Sequence, residues 1–300
     1  MSEIYYRIDS GSKFQYIAVL KFSNYPSGKP CAASLDLGGI KKGCVQITVK
    51  LADPGNKDER FRNVKDSDVA YVSWIGHAEE CSLTSDMPSG VGTRHMVRTA
   101  FSIVQAHFGD VKKFKLMDSS EINCLPLDRK VSLADIQLSL HGKTYYERYF
   151  GAYLEFEPIR TDYYERVESM RRSTLDPFEL FCSQFKIPND YKSCIEKPYN
   201  ESSSYAEFFQ KLREQCEFEY CFMTSEWLER FLVDKLTNRY KNNDWIIDMA
   251  KVKPVQYSSR AMTADEYEKM GSRLEQRGGG GGGGCVPKRA GMTLGPMDIH

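Results

Sequence analysis

Apolar and polar positions change period along this chain, and each change marks an element. In the first part the period is two. Phe14-Gln15-Tyr16-Ile17-Ala18-Val19-Leu20 is apolar and runs to a turn signal at Asn24-Tyr25-Pro26, which predicts a strand. Val45, Ile47, Val49 and Leu51 alternate with Gln46, Thr48 and Lys50. That is a strand with one wet face, stopped by Asp53-Pro54-Gly55-Asn56. Val69-Ala70-Tyr71-Val72-Ser73-Trp74-Ile75 is apolar on both faces, as a central strand is.

The period then lengthens. Met96, Val97, Ala100, Phe101, Val104 and Phe108 follow helical spacing, so an amphipathic helix is expected from Gly92 to Phe108, ended by Gly109-Asp110. A short alternating strand, Lys113–Met117, comes next. Ser132 to Tyr149 reads as helix, with Ser132 as N-cap and Asp135 three residues on. Ala152 to Glu157 alternates again, and Pro158 closes it. Beyond residue 160 the pattern is mostly helical. Helices are expected over Leu175–Phe185, Ser204–Phe218 and Ser225–Tyr240, with Ser204 and Ser225 at N-cap positions, and an exposed charged helix over Ala264–Gln276. Pro188-Asn189-Asp190 and Lys197-Pro198-Tyr199-Asn200 read as loops.

Gly278 through Gly284 are seven consecutive glycines, a tether spanning roughly 15 Å as a random coil. The sixteen residues after it keep Val286, Met292, Leu294, Met297 and Ile299. Apolar residues beyond a tether suggest a peptide that docks on a protein partner through residues 285–300, and an unstructured end is the other reading. The expected layout is an α+β domain over 1–158, a helical region over 159–277, and the tether and tail over 278–300.

Composition narrows the classes. The chain has 300 residues, 41% of them hydrophobic, and Lys+Arg 41 balance Asp+Glu 41 to a net charge of zero. Exact balance argues against a chain that is basic throughout, and no nucleic-acid partner is indicated. No window of 18 apolar residues occurs, so no membrane span is expected. The first residues lack a basic-then-apolar layout, so export is not expected. Nine scattered cysteines include no C-x-x-C, and the five histidines have no paired spacing, so neither a zinc site nor any other metal is expected. Free thiols in a reducing, cytoplasm-like compartment are the expectation.

One stretch carries candidate chemistry. After the strand 69–75 comes Met87-Pro88-Ser89-Gly90-Val91-Gly92-Thr93, then the helix. A G-x-G at a strand-to-helix junction lets backbone amides approach an anion, and a helix N-terminus adds partial positive charge. Arg94 adds charge from the first turn. The same pattern also serves a tight turn that needs positive φ. A dinucleotide fingerprint is absent, because position 95 is His95, and no Gly-Lys-Ser/Thr follows for a P-loop.

In order along the chain, Gly90-Val91-Gly92-Thr93 with the stripe through Met96, Ala100 and Val104 resembles the acyl-CoA loop and helix of the GNAT superfamily of N-acyltransferases. Tyr145-Tyr146-Glu147-Arg148-Tyr149-Phe150-Gly151 is similar to that family's tyrosine-glutamate signature near the end of its fold. The resemblance covers about residues 44 to 158. It implies a GNAT-like mixed sheet and acyl-CoA, acetyl-CoA for example, with its pyrophosphate over Ser89, Gly90, Val91, Gly92, Thr93 and Arg94. It implies a splayed central strand near 80–84, Glu79 or Glu80 as proton acceptor for an amine, and Tyr146 as proton donor to the leaving thiolate. Tyr145 is the alternative if the register slips by one. On residue type alone, Glu79-Glu80 also reads as a solvated strand end and the tyrosines as packing residues. The phrase His141 to Phe150 resembles, more loosely, uncharacterised proteins of large cytoplasmic DNA viruses.

Two departures stand against the family pattern. Met87 replaces its polar residue three before the first glycine. The segment Pro26 to Gly43 has little room for the two helices that shape its acceptor site. Both are compatible with a degenerate site, and with a non-catalytic structural protein, for example a minor capsid component of a virion, that docks through its tail.

Overall fold

The computed structural model describes residues 2–11, 14–24, 30–40, 43–51, 68–76, 81–83, 90–124, 129–216, 219–237, 240–241 and 243–278. Five strands come first: β1 (Ser2–Asp9), β2 (Gln15–Asn24), β3 (Pro30–Gly38), β4 (Gly43–Lys50) and β5 (Val69–Ile75). Helix α1 (Val91–His107), strand β6 (Lys113–Met117), and the paired strands β7 (Glu121–Cys124) and β8 (Arg129–Ser132) follow. Then come α2 (Leu133–His141), α3 (Tyr145–Phe150), β9 (Tyr153–Leu154), α4 (Glu157–Arg172), α5 (Phe178–Phe185), α6 (Asn189–Asn200), α7 (Tyr205–Gln215), α8 (Tyr220–Thr224) and α9 (Leu228–Leu236). Strands β10 (Asp244–Asp248) and β11 (Ser258–Met262) and helix α10 (Ala264–Gly278) close the described chain. The protein is α+β: a nine-stranded mixed sheet in the order β11-β1-β2-β3-β4-β5-β6-β10-β9, with a helical region. Two compact units make up the chain, one from Met1–Leu116 with the segment that begins at Ile247, the other from Met117–Ile246.

In the first unit, β1 to β5 form an antiparallel meander. Tyr16 to Leu20 on β2 are all buried, as a strand covered on both faces requires. On one face, Met262, Tyr267 and Met270 pack on Ile17, Val19 and Ile40. On β4, Val45, Ile47 and Val49 are buried while Gln46 is exposed, which is the expected alternation. Strand β3 was not foreseen, yet its buried Ala33, Leu35 and Leu37 keep period two between Ser34 and Asp36. Strand β5 lies centrally as expected, but it is wetter than its sequence suggests, with Trp74 52% exposed. Helix α1 buries the expected stripe, and Phe101 stacks on Phe114 of β6 at 4.0 Å.

The helix expected over 132–149 is two helices. Ser132 caps the first, with its hydroxyl accepting from the Asp135 amide. Gly142 then turns left-handed at φ 64°, and Thr144 with Glu147 forms a capping box that starts α3. Pro158 ends no strand. It lies in the first turn of α4, where its missing N–H costs nothing.

The loop expected at Lys197–Asn200 is also helical, with Pro198 inside α6. Proline cannot donate to the carbonyl four residues back, and Gln215 Nε2 supplies the missing donor to Cys194 O at 3.0 Å. Ser225 ends α8 instead of capping a helix start, its hydroxyl donating to Phe222 O at 2.7 Å. The helical core of this unit centres on Phe181, whose ring meets Tyr199 at 4.6 Å, Phe185 at 5.2 Å, Trp227 at 5.6 Å and Phe208 at 5.7 Å. The tether and tail, residues 279–300, lie outside the described residues.

Four cysteines expected to be free are paired, Cys44 with Cys81 and Cys124 with Cys221. The separations, 37 and 97 residues, match no local spacing pattern, which is why the sequence did not suggest them. Each bridge lies within one unit. By loop closure each contributes about 4 kcal/mol. Alkylation of the denatured, unreduced protein is expected to leave these four thiols unlabelled, and urea unfolding to lose stability of that order on reduction. Labelling of all four would refute the pairing.

Candidate functional site

The first unit contains a parallel strand pair, β5 with β6, beside the antiparallel meander. Among the described residues the parallel ladder joins Val69, Ala70 and Tyr71 to Lys113, Phe114 and Lys115. Both strands continue past it, β5 to Ile75 still paired with β4 through Trp74 and Ile75. The carboxyl end of such a pair is where open sheets with helical crossovers bind ligands. Of the segment 80–84, residues 81–83 are described and are not strand, and Glu80 and Thr84 lie outside the described residues.

Helix α1 follows β5 in the chain and leads into β6, with its first turn over β2, where His95 meets Tyr16. Its N-cap is Gly90 at φ 78° and ψ −76°, no side chain among the described residues caps it, and its first turn carries no acid. The positive φ explains the glycine, since a Cβ there would meet nothing within 4 Å. Val91 is exposed, Gly92 is buried, and Thr93 and Arg94 are half-buried. Arg94 turns back on the junction, with Nε donating to Gly90 O at 3.4 Å. These five predicted residues are brought together. Glu79, Glu80 and Ser89, and Met87 with them, lie outside the described residues.

One turn along α1, His95 has a partner that its sequence position did not reveal. Its Nδ1 lies 3.2 Å from the hydroxyl of Tyr16, a fully buried residue of β2. Burial, and then the Arg98 guanidinium, hold the His95 imidazole below its ordinary pKa, so it is neutral at pH 7. A neutral imidazole next to the helix start is a proton acceptor by type. The missing signal is tertiary, since Tyr16 is 79 residues away.

Tyr146 belongs to the second unit. It is 6% exposed on α3, against the edge of Tyr145. Its side chain is hydrogen-bonded with Ser120, and burial and then Asp118 push the phenol well above its ordinary value. Ser120 in turn donates to Asp118 Oδ1, from Oγ at 2.6 Å and from the amide at 3.3 Å. Asp118 Oδ2 is shielded from solvent and has no hydrogen-bond partner among the described residues. A second acid, Asp135, is fully satisfied: Tyr240 donates at 2.9 Å and Lys241 at 3.2 Å. The two carboxylates share one environment and differ in what answers them. Tyr145 and Tyr146 both pack, as residue type allowed, and Tyr146 also heads the short chain through Ser120 to Asp118.

Among the described residues no three His, Cys, Asp or Glu side chains are placed to hold a metal ion, and no helix is long and apolar enough to cross a membrane. No family model, curated protein or solved structure matches this chain.

Burial raises the Asp118 pKa above its ordinary value, ahead of the lowering by its Ser120 hydrogen bonds. A raised folded-state pKa means that Asp118 favours folding while protonated, below its unfolded value, and loses that contribution as pH rises through the folded one. Asp118→Asn is therefore expected to gain on the parent protein by on the order of 1 kcal/mol between pH 4 and pH 8. Urea unfolding at the two pH values measures this, and a difference of the opposite sign would refute it.

Proposed function

We propose that this chain is a CoA-dependent N-acyltransferase of GNAT-like type. The observation that carries the reading is the start of α1, a glycine N-cap at positive φ with no acid in the first turn, on the helix that joins the parallel strands β5 and β6. A pyrophosphate suits that place. The Val91 and Gly92 amides and the partial positive charge of the helix N-terminus are what it would meet, the Arg94 amide being bonded to Gly90 O at 2.9 Å. Bound acyl-CoA would supply the acyl group as an activated thioester. The protein's own work is to orient it, accept a proton from the amine and hold one for the thiolate. Glu79 or Glu80 takes the accepting role; Tyr146, which the resemblance assigns to the donating role, belongs to the other unit and is buried beside Tyr145 and Ser120.

Isothermal titration tests this. Acetyl-CoA is expected to bind at micromolar concentration, and Gly90→Asp to abolish binding, because a carboxylate then occupies the anion's place at a strained backbone position. A folded parent protein that gives no heat at high micromolar acetyl-CoA sinks the proposal.

A second reading rests on β3. The segment that would need to hold two acceptor-shaping helices is a strand over Pro30–Gly38, paired on both sides. That favours a binding or scaffold role that keeps the fold without the acceptor site, with residues 285–300 as the docking peptide, in a virion for example. Deleting residues 279–300 is then expected to abolish partner binding and leave acetyl-CoA titration unchanged. Retention of the same partners by the truncated protein removes this reading.

A further inference from the structure

Where α2 meets α3 in the second unit, cationic side chains gather without an acid to answer them. The turn is made by Gly142, left-handed at φ 64°. The Arg171 side chain from α4 lies directly over this glycine, and a Cβ at position 142 would collide with Arg171 Cδ and Nε. The guanidinium is half-buried, and its Nη1 is shielded from solvent with no hydrogen-bond partner. Its nearest acid, Glu168, is committed to Arg172 at 2.5 Å.

Arg148, on α3, is the second cation. It is half-buried, lies over the Tyr149 ring at 5.1 Å, and forms no ion pair among the described residues. His141 is the last residue of α2, next to Gly142. Burial and then Arg148 and Arg171 push its imidazole down to about 4, so it stands neutral beside two charges. Glu147, the next acid along α3, turns away to Tyr163 Oη at 2.8 Å and to the Thr144 amide at 2.7 Å.

Half-burying two guanidiniums with no ion-pair partner among the described residues opposes folding. The glycine that makes room for one of them, and the buried N–H aimed at nothing, mark a missing acceptor. Guanidinium forks match the paired oxygens of phosphate in geometry and charge, and a neutral imidazole adds one further donor. We propose that Arg171, Arg148 and His141 form a binding site for a phosphate group at the turn between α2 and α3. The site uses no residue of α1 and stands whether or not acyl-CoA binds there.

Calorimetric titration of the full chain with inorganic phosphate, and separately with methyl phosphate, tests it at constant ionic strength set by chloride. The native protein is expected to bind at millimolar concentration or tighter. Arg171→Met and Arg148→Met are each expected to lose about tenfold or more, the factor that goes with one charge-assisted hydrogen bond. Without phosphate both variants should melt no lower than the native protein, because each removes an unanswered charge. Binding of both probes assigns the site to a phosphoryl group on a larger ligand, and binding of inorganic phosphate alone to the free ion.

A second measurement needs no variant. The His141 ring titration, followed by NMR, should move upward on phosphate addition, because the anion offsets the two guanidiniums. No phosphate heat in the native protein, equal binding by both variants, or a His141 titration that follows ionic strength alone would overturn the site.

Discussion

Two parallel strands cannot be joined by a tight turn, so β5 can reach β6 only by a crossover that returns the chain to the same end of the sheet. Helix α1 is that crossover, and much of the first unit follows from it. Its apolar stripe must face the sheet, which fixes Phe101 on Phe114. Its N-terminus follows β5 and its C-terminus leads into β6. The positive φ of Gly90 is the local consequence of turning the chain into the helix there. The Cys44–Cys81 bridge ties the segment between β5 and α1 back to β4, within the same unit.

The second unit is governed by a different demand, that polar groups taken out of water be answered. Most are, often from far along the chain. Gln215 answers the carbonyl that Pro198 leaves unpaired, Tyr240 and Lys241 answer Asp135, and Tyr163 answers Glu147. Against that background the exceptions stand out. Among them are Asp118 Oδ2 and Gln137 Oε1, which are acceptors, and Arg171 Nη1 and Trp227 Nε1, which are donors, all shielded from solvent with no hydrogen-bond partner among the described residues. The aromatic cluster around Phe181 gives the unit enough buried apolar surface to carry such exceptions.

Periodicity located the elements whose faces are unequal. Strand β4 and helix α1 each have one wet and one dry side, and their residues recorded it. Strand β1 and strand β3 were missed for opposite reasons. In β1 only Ile8 is buried, so little apolar signal exists. In β3 the alternation is present, but it is enclosed by Pro and Gly that read as loop. The break at Gly142 and the helix through Pro198 were misjudged because each depends on a side chain elsewhere, Arg171 over the glycine and Gln215 at the carbonyl.

For the candidate chemistry the division is similar. Gly90-Val91-Gly92 could be picked out because a backbone need is written in the residue type at that position. Nothing local marks His95, Ser120, Asp118 or Arg171, since ordinary polar residues acquire a role only from what the fold sets beside them. By itself the sequence determined where the chain changes period, where it must turn, and where a helix begins at glycine. The tertiary structure alone decided which cysteines pair, which buried charges are answered and which are not. Periods and turns are properties of neighbouring residues, whereas burial and pairing are properties of residues that only folding brings together.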